Sequence, residues 1–294
     1  MRWQHQSGRS QARTAPPEPA AETQEIYAQL NGRKTHAIQG QKEKSMQRFE
    51  DKVVLVTGAA NGIGQATAER MAAEGAQVVC TDVETEAVEA TAKKIEAAGG
   101  RALARTSDIS NPDSVKEVID DTLKEFGQLD SLCNIAGIVH YDNTHELELA
   151  RWTRILEVNL TGTFLMCQTA LPHLLEAQGN IVNVASTAGL SGHPWMAAYA
   201  SSKGGVLALT RTLAVEYARK GLRANAVCPG SIKTAMHDQF SLPEGGNMKL
   251  LERIMPLDKF RGPEQAASLV AFLASSDAAH INGEEVRVDG GTLA

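Results

Sequence analysis

From Lys52 onward, short apolar runs alternate with stretches that repeat their apolar residues at helical spacing. Runs without polar alternation predict strands buried on both faces, over 53–56, 78–82, 102–106, 131–134, 181–184, 223–227 and 286–288. The intervening stretches predict helices over 62–74, 85–98, 112–126, 149–158, 162–177, 198–219 and 264–274. Linkers are short and carry helix-start chemistry, as in Ser110, Asn111 and Pro112, where a capping amide precedes a first-turn proline. Strands alternating with helices predict an α/β fold: a doubly wound parallel sheet of seven strands with helices on both faces. Neither a repeat nor a domain boundary interrupts the pattern after Met46, so residues 46–294 are expected to form one domain.

The first run ends in Thr57-Gly58-Ala59-Ala60-Asn61-Gly62-Ile63-Gly64 and passes straight into a helical pattern. A glycine cluster alone is usually a turn. Between a buried strand and a helix it lets backbone N–H groups approach a pyrophosphate at the helix N-terminus. Asp82 ends the second run about 20 residues later, where an acid accepts hydrogen bonds from ribose hydroxyls and repels a 2′-phosphate. The plainer role for Asp82 is to cap the next helix, and the two are compatible.

Tyr199 and Lys203 stand four apart in a predicted helix, hence on one face. Such a pair is most often a solvated surface. It is also a possible proton-transfer device, because a neighbouring ammonium favours phenolate and lowers a tyrosine pKa from its ordinary ~10.

Together these residues resemble the short-chain dehydrogenase/reductase family over about 48–294. The family's T-G-x-x-x-G-I-G reads Thr57 to Gly64, and its Y-x-x-x-K reads Tyr199 and Lys203. Its active-site Ser and Asn match Ser186 and Asn159. Its adenine-side acid matches Asp108, beside Ile109, and its P-G-x-x-x-T segment matches Pro229, Gly230, Ile232 and Thr234. One departure is visible: the family's N-N-A-G reads Asn134, Ile135, Ala136 and Gly137 here, which removes one amide and its hydrogen bond.

The resemblance implies a Rossmann fold and a homo-oligomer, expected to be a tetramer. It assigns Tyr199 as acid/base, with Lys203 lowering its pKa and binding the nicotinamide ribose. Ser186 would orient the substrate oxygen, and Asn159 would hold a water on the relay to Lys203. Taken singly, Ser186 reads as a turn hydroxyl and Asn159 as a helix-kinking or capping amide. The implied cofactor contacts are Gly58, Asn61, Gly62, Ile63, Gly64, Asp82, Asp108, Ile109, Asn134, Ala136, Gly137, Tyr199, Lys203, Pro229, Gly230, Ile232 and Thr234. With Asp82 followed by Val83 and no cation in the glycine turn, the expected cofactor is NAD.

Composition narrows the partners. A net charge of −6 without a basic block argues against nucleic acid. No apolar run reaches the ~18–20 residues of a membrane span. Cys80, Cys133, Cys167 and Cys228 are scattered through apolar runs and read as buried thiols of a reducing, cytoplasmic compartment. No metal-ligating cluster is expected.

Residues 1–45 are polar, proline-bearing and without apolar period, and are expected to be a disordered extension. The segment between Ser231 and Pro263 should be the substrate lid. Its Met236, Phe240, Leu242, Met248, Leu250, Leu251, Ile254 and Met255 suit an apolar pocket, with His193 and Trp195 as a further wall or as surface contacts. The expected partner is an apolar secondary alcohol or ketone, cyclic or steroid-like. An NADPH-dependent 3-oxoacyl-thioester reductase and a dinucleotide-binding regulator without turnover are the competing readings.

Overall fold

A computed structural model of the protein describes residues 47–234, 240–257 and 259–294. The expected disordered extension over 1–45 and the lid residue Met236 lie outside the described residues.

All seven expected strands form: β1 Val53–Thr57, β2 Gln77–Asp82, β3 Arg101–Thr106, β4 Ser131–Asn134, β5 Asn180–Val184, β6 Arg223–Pro229 and β7 Glu285–Val288. They pair in parallel in the order β3-β2-β1-β4-β5-β6-β7. The helices are α1 Gly62–Ala73, α2 Thr85–Ala97, α3 Pro112–Phe126, α4 Leu149–Leu156, α5 Thr163–Glu176, α6 Ala197–Tyr217 and α7 Glu264–Ala274. Strand alternation sends Val54 and Val56 into one core with Met71 of α1 and Val270 of α7. Leu55 goes to the other face, with Ile119 of α3, Met166 of α5 and Leu213 of α6. An apolar strand with no polar face is what a doubly covered sheet requires.

The break expected between two helices at 159–161 does not occur. α4 and α5 join through a π turn, Glu157–Gly162, that contains Asn159. Single π turns inside α-helices re-aim a side chain without ending the helix. Here the wide turn lets the fully buried Asn159 amide leave the helix axis.

β4 and β5 carry a polar pair inside the apolar sheet. Asn134 and Asn183 are register partners. Asn134 Nδ2 donates to Asn183 Oδ1 at 2.8 Å, and Asn183 Nδ2 donates to Thr210 Oγ1 of α6 at 2.8 Å. Buried amides are tolerated only when paired. Asn183→Ala is expected to destabilise the fold by about 1–3 kcal/mol, because it removes two buried hydrogen bonds and leaves a cavity between β5 and α6. Urea unfolding reads this, and an unchanged midpoint would contradict it.

Candidate active site

Doubly wound sheets leave a crevice where the chain reverses its direction of winding, here between β1 and β4. A cleft of about 410 Å³ lies along these strand ends.

At one end is the turn after β1. Gly58 has φ +70°, and a Cβ on it would lie 2.8 Å from Ala136 N. A Cβ on Gly64 would lie 1.9 Å from Gly58 O, so α1 starts closer to β1 than a side chain allows. Thr57 Oγ1 accepts from Ile135 N at 2.9 Å and Ala136 N at 3.1 Å, which ties this turn to the one after β4. That bond uses the backbone of the residue where the second family amide is replaced, so the turn stays anchored without it. The opening N–H groups of α1 have no partner within the helix and face the cleft beside Asn61, Gly62, Ile63 and Gly64, an arrangement suited to an anionic diphosphate.

Asp82 lines the cleft at the end of β2. Its Oδ2 accepts from Ala60 N at 3.1 Å and its Oδ1 from Glu84 N at 3.2 Å, so it braces the glycine turn and the approach to α2 together. Asp108 and Ile109 line the same end. Burial raises the Asp108 pKa, but hydrogen bonds from Ser110 and the charge of Arg154 outweigh it and hold the carboxyl below its ordinary value. Arg154 escaped the sequence reading. It comes from α4, lines the cleft, donates to Ser110 Oγ at 2.8 Å and stands 3.5 Å from Asp108 Oδ2. No local motif marks it, because its position depends on where α4 packs.

At the other end, Ser186 follows β5, Tyr199 lies in the first turn of α6, and Lys203 lies one turn on. Lys203 is buried and its Nζ donates to Val184 O at 2.8 Å. The ammonium sits 5.7 Å from the centre of the Tyr199 ring. Asn159 does not line the cleft. Its Oδ1 accepts from Ile138 N at 2.8 Å, and its Nδ2 donates to Ile138 O at 2.9 Å and Ser202 Oγ at 3.1 Å. It therefore fixes the strand-end loop against α6, and a Cβ on Gly137 would come within 3.1 Å of it and 3.4 Å of Lys203 Nζ.

The depression of the Tyr199 pKa was expected from Lys203 together with a cationic cofactor ring, and the protein side alone does not supply it. Burial pushes the pKa up to about 12, against a hydrogen bond with Ser186 that favours phenolate. Burial equally pushes Lys203 down to about 8. The i,i+4 argument fails because both groups are desolvated and the ammonium is spent on a carbonyl.

Ala136, Gly137, Pro229, Gly230 and Thr234 also line the cleft, whereas Asn134 and Ile232 do not. Asn134 belongs to the sheet-internal pair, and Ile232 is buried in a parallel bridge with Arg261. Beside Tyr199 an apolar wall is built from Ala188, Met196, Leu251 and Ile254, with Tyr141, Trp195, Phe240 and Met255 packed on it. Of the other lid residues, Leu242, Met248 and Leu250 are exposed. His193 is not part of that wall; its Nε2 lies 3.1 Å from Thr187 Oγ1.

The comparisons with known proteins agree with this geometry. The family model described as Enoyl-(Acyl carrier protein) reductase matches residues 58–292. The meso-2,3-butanediol dehydrogenase of Serratia marcescens is 41% identical over 247 residues, 84% of this chain and 96% of that protein. The chain belongs to the short-chain dehydrogenase/reductase family. A cyclohexanol dehydrogenase of an Acinetobacter strain is 38% identical over 245 residues, 83% of this chain and 95% of its own. The crystal structure of 3-ketoacyl-(acyl-carrier-protein) reductase from Brucella melitensis complexed with NADH superposes with a TM-score of 0.76, at 35% identity, covering 83% of this chain and 99% of that one. As an oxidoreductase of this family, the chain uses a nicotinamide dinucleotide.

The burial of Lys203 has a measurable consequence. Its pKa is lower folded than unfolded, so the folded state resists the proton that the unfolded state accepts. Stability should therefore rise as pH increases from about 8 to the ordinary lysine value near ~10.4. Lys203→Met lacks this titration. Its stability advantage over the parent, read by urea unfolding, should be largest near neutrality and shrink by pH 10; a constant difference would contradict the assignment.

Proposed function

We propose that the protein transfers hydride between NAD(H) and an apolar secondary alcohol or ketone, with Tyr199 as acid/base. The observation that carries this reading is the convergence of Ser186, Tyr199 and Lys203 at one end of a cleft whose other end is a glycine turn with a carboxylate beside it. The fit to a dinucleotide rests on the cradle itself: two glycines where a Cβ would collide, free α1 N–H groups, and the Asp82 carboxylate bonded to the turn at Ala60 N.

The bound dinucleotide would supply the hydride acceptor or donor. Ser186 holds the substrate oxygen and orients it against Tyr199. In the oxidative direction Tyr199 takes the alcohol proton as phenolate, and in the reductive direction it returns it as phenol. Lys203 holds a positive charge near Tyr199 and offers donors to a ribose. Asn159 keeps the loop after β4 and α6 in register, and its oxygen leaves the Ile138 backbone fixed beside the ammonium. A bound oxidised dinucleotide would place positive charge near Tyr199, which would favour the phenolate that burial disfavours.

NAD is favoured over NADP because Asp82 meets the ribose end and Val83 follows it. Arg154, the cation on that side of the cleft, is already engaged by Ser110 and Asp108. The apolar wall around Met196, Leu251 and Ile254 favours an apolar substrate. A 3-oxoacyl-thioester reductase is the second reading, supported by the similar Brucella melitensis structure. The free, buried state of Cys80, Cys133, Cys167 and Cys228 is in keeping with a cytoplasmic setting.

Two variants test the reading. Tyr199→Phe should cut NAD-linked turnover by at least about 100-fold while leaving NAD binding, followed by calorimetry, nearly intact. Asp82→Ser should narrow the NAD/NADP ratio of kcat/KM by about two to three decades, with part of the NAD loss arising from a loosened Ala60 turn. A parent enzyme that uses NADP as well as NAD would overturn the cofactor assignment and make the reductase reading the leading one.

A further inference from the structure

The apolar wall beside Tyr199 carries a second tyrosine. Tyr141, in the loop after β4, packs on the same cluster as Tyr199, Trp195 and Phe240. Its ring is held edge-on to Phe240, with centroids 4.8 Å apart and planes at 86°. The loop that carries it is tied down on three sides. Asp142 N donates to Trp195 O at 2.9 Å, Asn143 Nδ2 donates to Glu244 O at 3.0 Å, and the Asp142 carboxylate pairs with Arg151 of α4. Trp195 itself takes φ 63°, a conformation that costs a bulky residue energy and is kept only when its surroundings demand it.

The Tyr141 hydroxyl has no hydrogen-bond partner among the described residues, although the side chain is largely buried and burial raises its pKa. A half-buried hydroxyl without a protein partner among the described residues, on a loop tied from three sides and packed on the same cluster as Tyr199, can complete its hydrogen bonds with substrate.

We propose that Tyr141 is a specificity-determining residue that binds a second substrate oxygen, so that the preferred substrates are diols, hydroxyketones or diketones rather than simple secondary alcohols. The inference rests on the proposed alcohol/ketone reading and adds the second oxygen to it. Ser186 and Tyr199 hold the reacting oxygen, the apolar wall covers the carbon frame, and Tyr141 reads the other oxygen as donor or acceptor. A substrate without that oxygen leaves the hydroxyl unpaired.

The test compares cyclohexanol, the vicinal cyclohexanediol and the isomeric diol with one carbon between the two carbinols, as substrates for the full-length enzyme with NAD. The parent enzyme should favour at least one diol in kcat/KM by about three- to tenfold, the worth of one neutral hydrogen bond. Tyr141→Phe keeps the ring and its contact with Phe240, so it should abolish that preference, lowering kcat/KM for the favoured diol about three- to tenfold more than for cyclohexanol. Equal loss on all three alcohols would make Tyr141 a packing residue and overturn the inference, as would an unselective parent enzyme. Turnover of cyclohexanol without diol preference sinks only this inference. Absence of turnover for all three with either NAD or NADP would overturn the proposed function together with it.

Discussion

Burying a lysine and a tyrosine together without an acid between them is the constraint around which this site is organised. Ionisable groups resist transfer out of water unless they are paired. Here, among the described residues, Lys203 donates to the carbonyl of Val184 and Tyr199 is paired with Ser186. The elements around them act as a rigid frame for that costly arrangement. β5 supplies the carbonyl, α6 carries both groups on one face, and the π turn points Asn159 at the loop that closes the other side. Burial pushes each group toward its neutral form, Tyr199 up to about 12 and Lys203 down to about 8.

The cofactor cradle follows a different logic, that of close approach. Gly58 and Gly64 let β1, α1 and the loop after β4 come within distances no side chain permits, and Thr57 bonds two of that loop's N–H groups at once. The carboxylate of Asp82 fastens the same turn from the β2 side. A dinucleotide laid along the strand ends would thus touch backbone fixed from three directions, with little left to order on binding.

Much of this was legible in the sequence. The strands were plain because their apolar runs lack alternation, and the glycine turn because its spacing sits between a strand and a helix. What escaped depended on contacts distant in the chain. The helix break expected near Asn159 is absent because its amide is satisfied by Ile138, twenty-one positions away. Asn134, expected beside the cofactor, turns instead to Asn183 across the sheet. Arg154 and Tyr141 carry no local signature, and matter only because α4 brings one to the cleft and the loop after β4 brings the other to the apolar cluster that packs on Tyr199. The size of the protein's own share in the Tyr199 pKa escaped for the same reason, since helix spacing gives proximity but says nothing of burial.

The account stands on one claim: the protein alone makes Tyr199 a weak acid, and the oxidised cofactor makes it a usable base. Ultraviolet tyrosinate titration of the parent protein minus Tyr199→Phe, with and without oxidised NAD, measures this directly. Without NAD the difference signal should appear only above the ordinary tyrosine range of ~10, and NAD should move it down by about two units or more. A difference signal that titrates near the ordinary value in both conditions would contradict the account.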